Sequence, residues 1–325
     1  MKYRNMGKWG LKLSEISLGS WMTALASQEA KDIAAQTVRL AFDNGINFFD
    51  CADGYSGGEA ERFLGSVLKE YPRSSYVVSS KVFFPTGSGV NDRGLSRKHI
   101  MESIDKSLKN LGMDYIDLYY CHRYDETTPL EETLEALSDL VKQGKILYYG
   151  VSEEWSGARI TEAMKIIKEE HLRPISVLQP QYNMIDRYIE HDIMGVCEKY
   201  GIGITPFSPL SQGLLTGKYR LGQPIPEGSR ATHQKDKQIN NMLTEENLKK
   251  VDALSKIADD LGVTLSVMAL AWILRKGIIS SVITGASKPS QLEQNIKASG
   301  LVIPDDAMTA IESVLDFTPF ERHVG

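Results

Sequence analysis

The chain has 325 residues, with 37 Lys and Arg against 42 Asp and Glu, a formal charge of −5 and 42% hydrophobic residues, the balance of an ordinary globular protein. Its longest apolar run, 267–274, falls far short of the ~18 residues that a bilayer-spanning helix needs, and the mild acidity disfavours nonspecific nucleic-acid binding, which relies on a dominant basic face. No apolar stretch follows the opening MKYRNMGKWG as it would in a signal peptide, and Cys51, Cys121 and Cys197 lack the CxxC spacing of a zinc site or an even count for disulfides, so the expectation is a cytoplasmic protein with reduced thiols and no membrane insertion.

Residues 3–14, with turn-forming Gly7 and Gly10, predict a short hairpin. After it one grammar repeats: a β-branched or aromatic run, then apolar residues at helical spacing, then glycine. Strand-like runs fall at 16–20, 46–50, 76–81, 115–121, 146–152, 175–179, 202–208 and 279–285. Helical patterns follow them at 29–44, 57–71, 96–111, 130–143, 157–170, 188–200, 244–261 with 264–276, and 289–298. Gly45, Gly112, Gly144, Gly201 and Gly277 stand between helix and strand, where a left-handed residue ends a helix. Leu130, Leu134, Leu137, Leu140 and Val141 form one apolar stripe, as a helix facing a sheet requires.

Alternating strands and helices imply a parallel sheet, and eight such units favour an α/β fold of the closed (β/α)8 TIM-barrel type. A doubly wound sheet lacks support, since no GxGxxG follows the first strand. The expected additions are the N-terminal hairpin capping the barrel bottom, an extra helix at 304–316, and a long loop after strand seven, 209–243, all within a single domain over 1–325. That loop carries Lys218, Arg220, Arg230, Lys235 and Lys237 against Glu227 and Asp236. It is therefore the candidate home for an anionic group.

In such a barrel the active site lies at the carboxyl ends of the strands. There the sequence puts Asp50, Lys81, His122, Ser152, Gln179, Phe207 and Ser208, with Tyr55 close behind Asp50. A phenol titrating near ~10 donates a proton at neutral pH only with help from a neighbouring cation, and Lys81, held charged by Asp50, can be that cation. A neutral His122 can orient a substrate oxygen. The four suit protonation of a carbonyl oxygen as hydride reaches its carbon, and no side chain supplies hydride, so a nicotinamide cofactor is implied.

FFDCADGY, the isolated Lys81, the His of YYCHRYDETTPLEET, GVS, FSPLSQGLLTGKY and GASKPSQLEQN together resemble the aldo-keto reductase superfamily over about residues 2–315. SPLxxGxLTGKY, GSRA and GASxxxQLxxN make the chain most similar to the branch of voltage-gated potassium-channel β subunits and their bacterial relatives. The resemblance implies Tyr55 as general acid, Lys81 and Asp50 as its tuning pair and His122 as the orienting residue. It further implies NADPH or NADP as cofactor, with NADH as an alternative: Ser152 and Gln179 on the carboxamide, Phe207 stacked on the ring, Ser208 and Leu210 at the pyrophosphate, Lys218 and Arg230 on the phosphates, and Ser287, Gln291 and Asn295 at the adenosine end. Ser20 and Trp21 would contact cofactor and substrate from strand one. Glu153 and Gly285 depart from the usual Asn and Lys of the superfamily. His122, which is Asn in the channel subunits, points towards turnover.

The remaining readings are plainer. Cys51 and Cys121 are expected as core thiols, His99, His171, His191 and His233 as solvated, and Asp53 and Glu59 as loop charges. Phe84, Trp21, Trp155 and Phe320 suggest an aromatic pocket for a small carbonyl substrate. The competing functions are a slow, NADPH-binding regulatory subunit, in a branch that includes tetramers and so leaves a homo-oligomer open, and a Schiff-base lyase using Lys81.

Overall fold

The computed structural model describes residues 1–21, 25, 27–232 and 237–320. A hairpin of β1 (Tyr3–Asn5) and β2 (Lys12–Ser14) comes first, followed by β3 (Ile16–Gly19), α1 (Gln28–Asp43), β4 (Phe48–Asp50), α2 (Glu59–Leu68), β5 (Val77–Val82) and α3 (Arg97–Leu111). The chain continues through β6 (Ile116–Cys121), α4 (Leu130–Lys142), β7 (Ile146–Val151), α5 (Gly157–Glu169), β8 (Val177–Leu178), α6 (Ile193–Tyr200) and β9 (Gly203–Ile204). After the long loop come α7 (Lys237–Met242), α8 (Glu245–Asp260), α9 (Leu265–Leu274), β10 (Val282–Thr284), α10 (Pro289–Asn295) and α11 (Asp305–Leu315).

Eight strands pair in parallel in the order β10, β3, β4, β5, β6, β7, β8, β9. The ends of that row meet: Ile204 N donates to Ile278 O, Ser280 N to Ile204 O, and Ile283 N to Pro206 O. The sheet thus curls into the expected (β/α)8 barrel. Gly45, Gly112, Gly144 and Gly201 all take positive φ, ending their helices as the spacing predicts; Gly277 is not among them.

The sixth and seventh strands are shorter than expected, two residues each instead of 175–179 and 202–208. Pro180 and Pro206 stand just past them, and a residue without an N–H cannot continue a ladder. The helix expected at 188–200 is a 3-10 turn, Tyr188–Glu190, followed by α6. Asp192 between them lends its carboxylate to Gly157 N at 3.1 Å instead of capping its own helix.

Strand alternation divides the side chains into two packed sets. Phe48, Val77, Leu118, Tyr120, Val177 and Ile283 fill the barrel interior together with Met6 and Leu13 of the hairpin, so the hairpin closes the end from which the strands start. Their alternates Phe49, Cys51, Val78, Tyr119, Cys121 and Leu178 pack outward under the helices. All three cysteines are free and buried, as expected of core thiols. Gly150 belongs to the inner set, and a Cβ there would collide with the Val177 carbonyl and the Tyr120 ring. The apolar helix α9 is buried at every position but Ser266, and among the described residues no single helix is long and apolar enough to cross a membrane.

Candidate active site

Continuing each inner row by two residues leads to the site. Phe48 leads to Asp50, Val77 to Ser79 and Lys81, Tyr120 to His122, and Val177 to Gln179. A period of two therefore carries five polar side chains to the carboxyl end of the barrel on the face its core residues define.

Lys81 is fully buried, and its Nζ donates to Asp50 Oδ2 at 2.7 Å and to the Cys51 carbonyl at 2.7 Å. Its third contact is the Tyr55 hydroxyl at 3.4 Å. Asp50 is held from its other oxygen by Ser79 Oγ at 2.6 Å and Gln179 Nε2 at 2.9 Å. An ammonium out of water needs such compensation. Burial pushes the Lys81 ammonium down, but the Asp50 carboxylate and the Tyr55 phenol more than offset it, so the amine stays charged throughout the neutral range.

The Tyr55 phenol departs from the sequence expectation. The Lys81 charge does pull it down, yet burial outweighs that pull and holds the phenol at about 12. It is a protonated acid at every physiological pH. The His122 ring meets Tyr55 edge-on at 5.8 Å between centroids and Phe84 at 4.9 Å. Burial, then the charges of Lys81 and Arg123, push its imidazole well below the usual range, and Nδ1 is buried without a partner. A neutral imidazole beside a protonated phenol can position and protonate one oxygen atom.

Some of the residues expected at a dinucleotide are tied to this end of the barrel by hydrogen bonds. Ser20 N donates to Asp50 O at 2.8 Å, Ser152 Oγ donates to Gln179 O at 2.7 Å, and half-buried Phe207 pairs with Gln181 across an isolated bridge. Ser208, Ser211, Gln212, Gly213 and Gly217 all have positive φ, and amides of this turn close on its own carbonyls, Ser211 N on Ser208 O and Gly217 N on Leu214 O. Leu210 lies within this turn, its carbonyl taking the Gly213 and Leu215 amides at 2.9 and 3.1 Å. Lys218 is exposed beside it, and Arg230 donates to Gln212 Oε1 while its guanidinium lies 5.8 Å from the Trp21 ring. Gln291 Oε1 accepts from Ser287 N at 2.8 Å, and Asn295 is buried one turn further along α10. Lys218 and Arg230 beside this turn are charge partners suited to the phosphates of a dinucleotide, and an aromatic ring with amide and hydroxyl groups nearby fits a nicotinamide.

Other expectations are corrected. His99 is buried, not solvated, and Asp53 is no solvated loop charge: it is 5% exposed and neither carboxylate oxygen has a hydrogen-bond partner. His171 and His191 are exposed, as expected, whereas Glu59, expected as a loop charge, opens α2 and pairs there with Arg62; His233, Lys235 and Asp236 lie outside the described residues. Trp155 is buried against Tyr124, centroids 5.1 Å apart, and Phe320 packs on Phe317. Glu153 meets Arg123 in an ion pair. Ser79 and Asn183, whose Nδ2 donates to Ser208 O at 3.0 Å, were not singled out by sequence. Ser79 could have been, since it lies two residues before Lys81 on one strand face. Among the described residues no group of three or more His, Cys, Asp or Glu converges as a metal site.

A closed parallel barrel that brings a phenol, a buried ammonium and an imidazole together at one end is an arrangement suited to acid–base chemistry on one bound oxygen. The family model described as "Aldo/keto reductase family" matches residues 15–316, and the chain belongs to that family, whose general chemistry is NADPH-dependent oxidoreduction. Among curated proteins it is 43% identical over 328 residues to "Probable voltage-gated potassium channel subunit beta" of Arabidopsis thaliana, covering 98% of each chain. To the protein of the same description in Oryza sativa subsp. japonica it is 41% identical over 325 residues, again with 98% of each chain covered.

Proposed function

We propose that the protein reduces aldehydes or ketones to alcohols in the cytoplasm, with NADPH as hydride donor. Tyr55 gives its proton to the carbonyl oxygen, Lys81 and Asp50 hold that phenol in place and replenish charge balance around it, and His122 orients the oxygen. When bound, the cofactor supplies the hydride. Ser152 and Gln179 would hold its carboxamide, Phe207 its ring, the turn at Ser208 and Leu210 with Lys218 and Arg230 its phosphates, and Ser287, Gln291 and Asn295 its adenosine end, with Ser20 and Trp21 closing the rim. The observation that carries the reading is the meeting of the Tyr55 hydroxyl with Lys81 Nζ at 3.4 Å beside the His122 ring. The test is oxidation of NADPH and NADH followed at 340 nm against aldehydes, dicarbonyls and ketones. Sustained turnover faster with NADPH is expected; no turnover with any carbonyl would sink the reading.

A second reading is favoured by the relatives' description: a subunit that binds NADPH tightly, turns over slowly and acts on a partner protein. Fast multiple turnover would decide against it. A Schiff-base role for Lys81 is disfavoured by the Asp50 contact, which keeps the amine charged and so non-nucleophilic.

A further inference from the structure

The loops after β6 and β7 carry an arrangement that the proposed reaction does not use. Arg123 directly follows His122, and its guanidinium lies 5.7 Å from the centroid of the Phe84 ring, which itself packs on His122. A guanidinium so close to the reacting position is an anion receptor by default, its planar fork matching a carboxylate. Here both arms are taken. Glu153 meets Nη2 and Glu154 meets Nη1. Consecutive residues of an extended chain point to opposite sides, so two neighbouring glutamates reach one guanidinium only because the backbone turns left-handed at Glu154, φ 68°. Glu153 is tied to the site by its own N–H, which donates to His122 O at 3.2 Å.

The rest of these two loops adds no cation to spare. Asp125 accepts from Leu95 N, Thr127 and Thr128, and Glu126 pairs with Arg159. Arg123 and Arg159 against Asp125, Glu126, Glu153 and Glu154 leave a formal sum of −2 around these two loops.

We propose, resting on the reductase reading, that Glu153 and Glu154 are specificity residues that exclude carbonyl substrates bearing a carboxylate, by occupying Arg123 and charging the substrate wall negatively. The substrate class is then uncharged or cationic carbonyls. Such discrimination by a repulsive group is a common route to specificity.

The experiment uses the full chain with NADPH and three para-substituted benzaldehydes: 4-carboxybenzaldehyde, its methyl ester, and the 4-trimethylammonio compound. The wild type is expected to favour the ester over the carboxylate by about tenfold or more in kcat/KM, mostly through KM, and to accept the cation at least as well as the ester. In Glu153→Gln/Glu154→Gln the carboxylate should gain about tenfold while the ester changes less than about twofold, because Arg123 is then free to take an anion. Arg123→Met, which leaves both glutamates, should widen the preference for the ester. An unchanged ester-to-carboxylate ratio in the double variant would overturn the inference alone. So would a parallel loss on all three substrates, which marks a structural role. If the wild type turns over none of them, the reductase reading falls and this inference with it.

Discussion

Lys81 Nζ and Asp50 Oδ2 lie 2.7 Å apart with the lysine side chain entirely out of solvent. The pair comes from adjacent strands, β4 and β5, with Lys81 two residues beyond Ser79, which faces Asp50 across the ladder. The carboxylate is thereby supported by Ser79 and Gln179 before it meets the ammonium, and the ammonium reaches Tyr55 from a fixed base.

Tyr55→Phe removes the only proton at that position of the site while leaving the ring packed on His122. We expect kcat to fall about 10²–10⁴-fold with the Kd for NADPH changed less than about twofold. Loss of NADPH binding in the same variant, measured by fluorescence titration, would contradict the assignment.

Asp50→Asn leaves a buried ammonium facing a neutral amide. Breaking one partner of such a pair costs about 3–5 kcal/mol, so the denaturation midpoint should drop sharply. Adding Lys81→Met removes the stranded charge and should recover much of that stability without recovering activity. If the double variant is no more stable than the single one, the charge balance argument is wrong.

Asp53 links stability to pH. Burial first, then the neighbouring Glu61 charge, raises its carboxyl from 3.8 to about 8. The folded chain therefore keeps a proton that the unfolded chain releases above 3.8. Its contribution is complete below about pH 4 and is lost as pH rises towards 8, at about 1.4 kcal/mol for each pH unit crossed within that window. Asp53→Asn should flatten the slope and stabilise the protein more at pH 8 than at pH 5 in urea denaturation. Parallel curves for the two proteins would rule this out.

Lys218 and Arg230 flank the left-handed turn at 208–217. Replacing both with Ala should raise the KM for NADPH by about tenfold or more, as expected for lost charge-assisted phosphate contacts, with a smaller change for NADH. Equal effects on the two cofactors would assign the cations to the shared pyrophosphate instead of the additional phosphate.

Leu13 belongs to the hairpin plug among Phe48, Val77 and Leu118. Leu13→Ala should cost about 2–5 kcal/mol through the cavity it leaves and spare kcat, because it sits at the barrel end away from Tyr55. A selective loss of kcat in a folded variant would show that the two ends are coupled.

Alternation of strand and helix, the glycines that end the helices, and polar residues at strand ends are local features, and they are legible in the chain because helix capping and the two-residue period of a strand act over a few residues. That is why the barrel, its hairpin, its extra helix and the set Asp50, Tyr55, Lys81 and His122 could be read from sequence. What folding alone decided are the quantities that depend on many neighbours at once. Burial overcame Lys81 in setting the Tyr55 phenol, Asp53 and His99 went inside although their segments read as solvated, and two proline residues cut short strands that their β-branched content had extended. Arg123 met Glu153 and Glu154 only because one backbone residue turned left-handed, and no local pattern in RYDE or SEEW announces that turn. Desolvation and long-range pairing are sums over a three-dimensional surround, so they exist only once the barrel has closed.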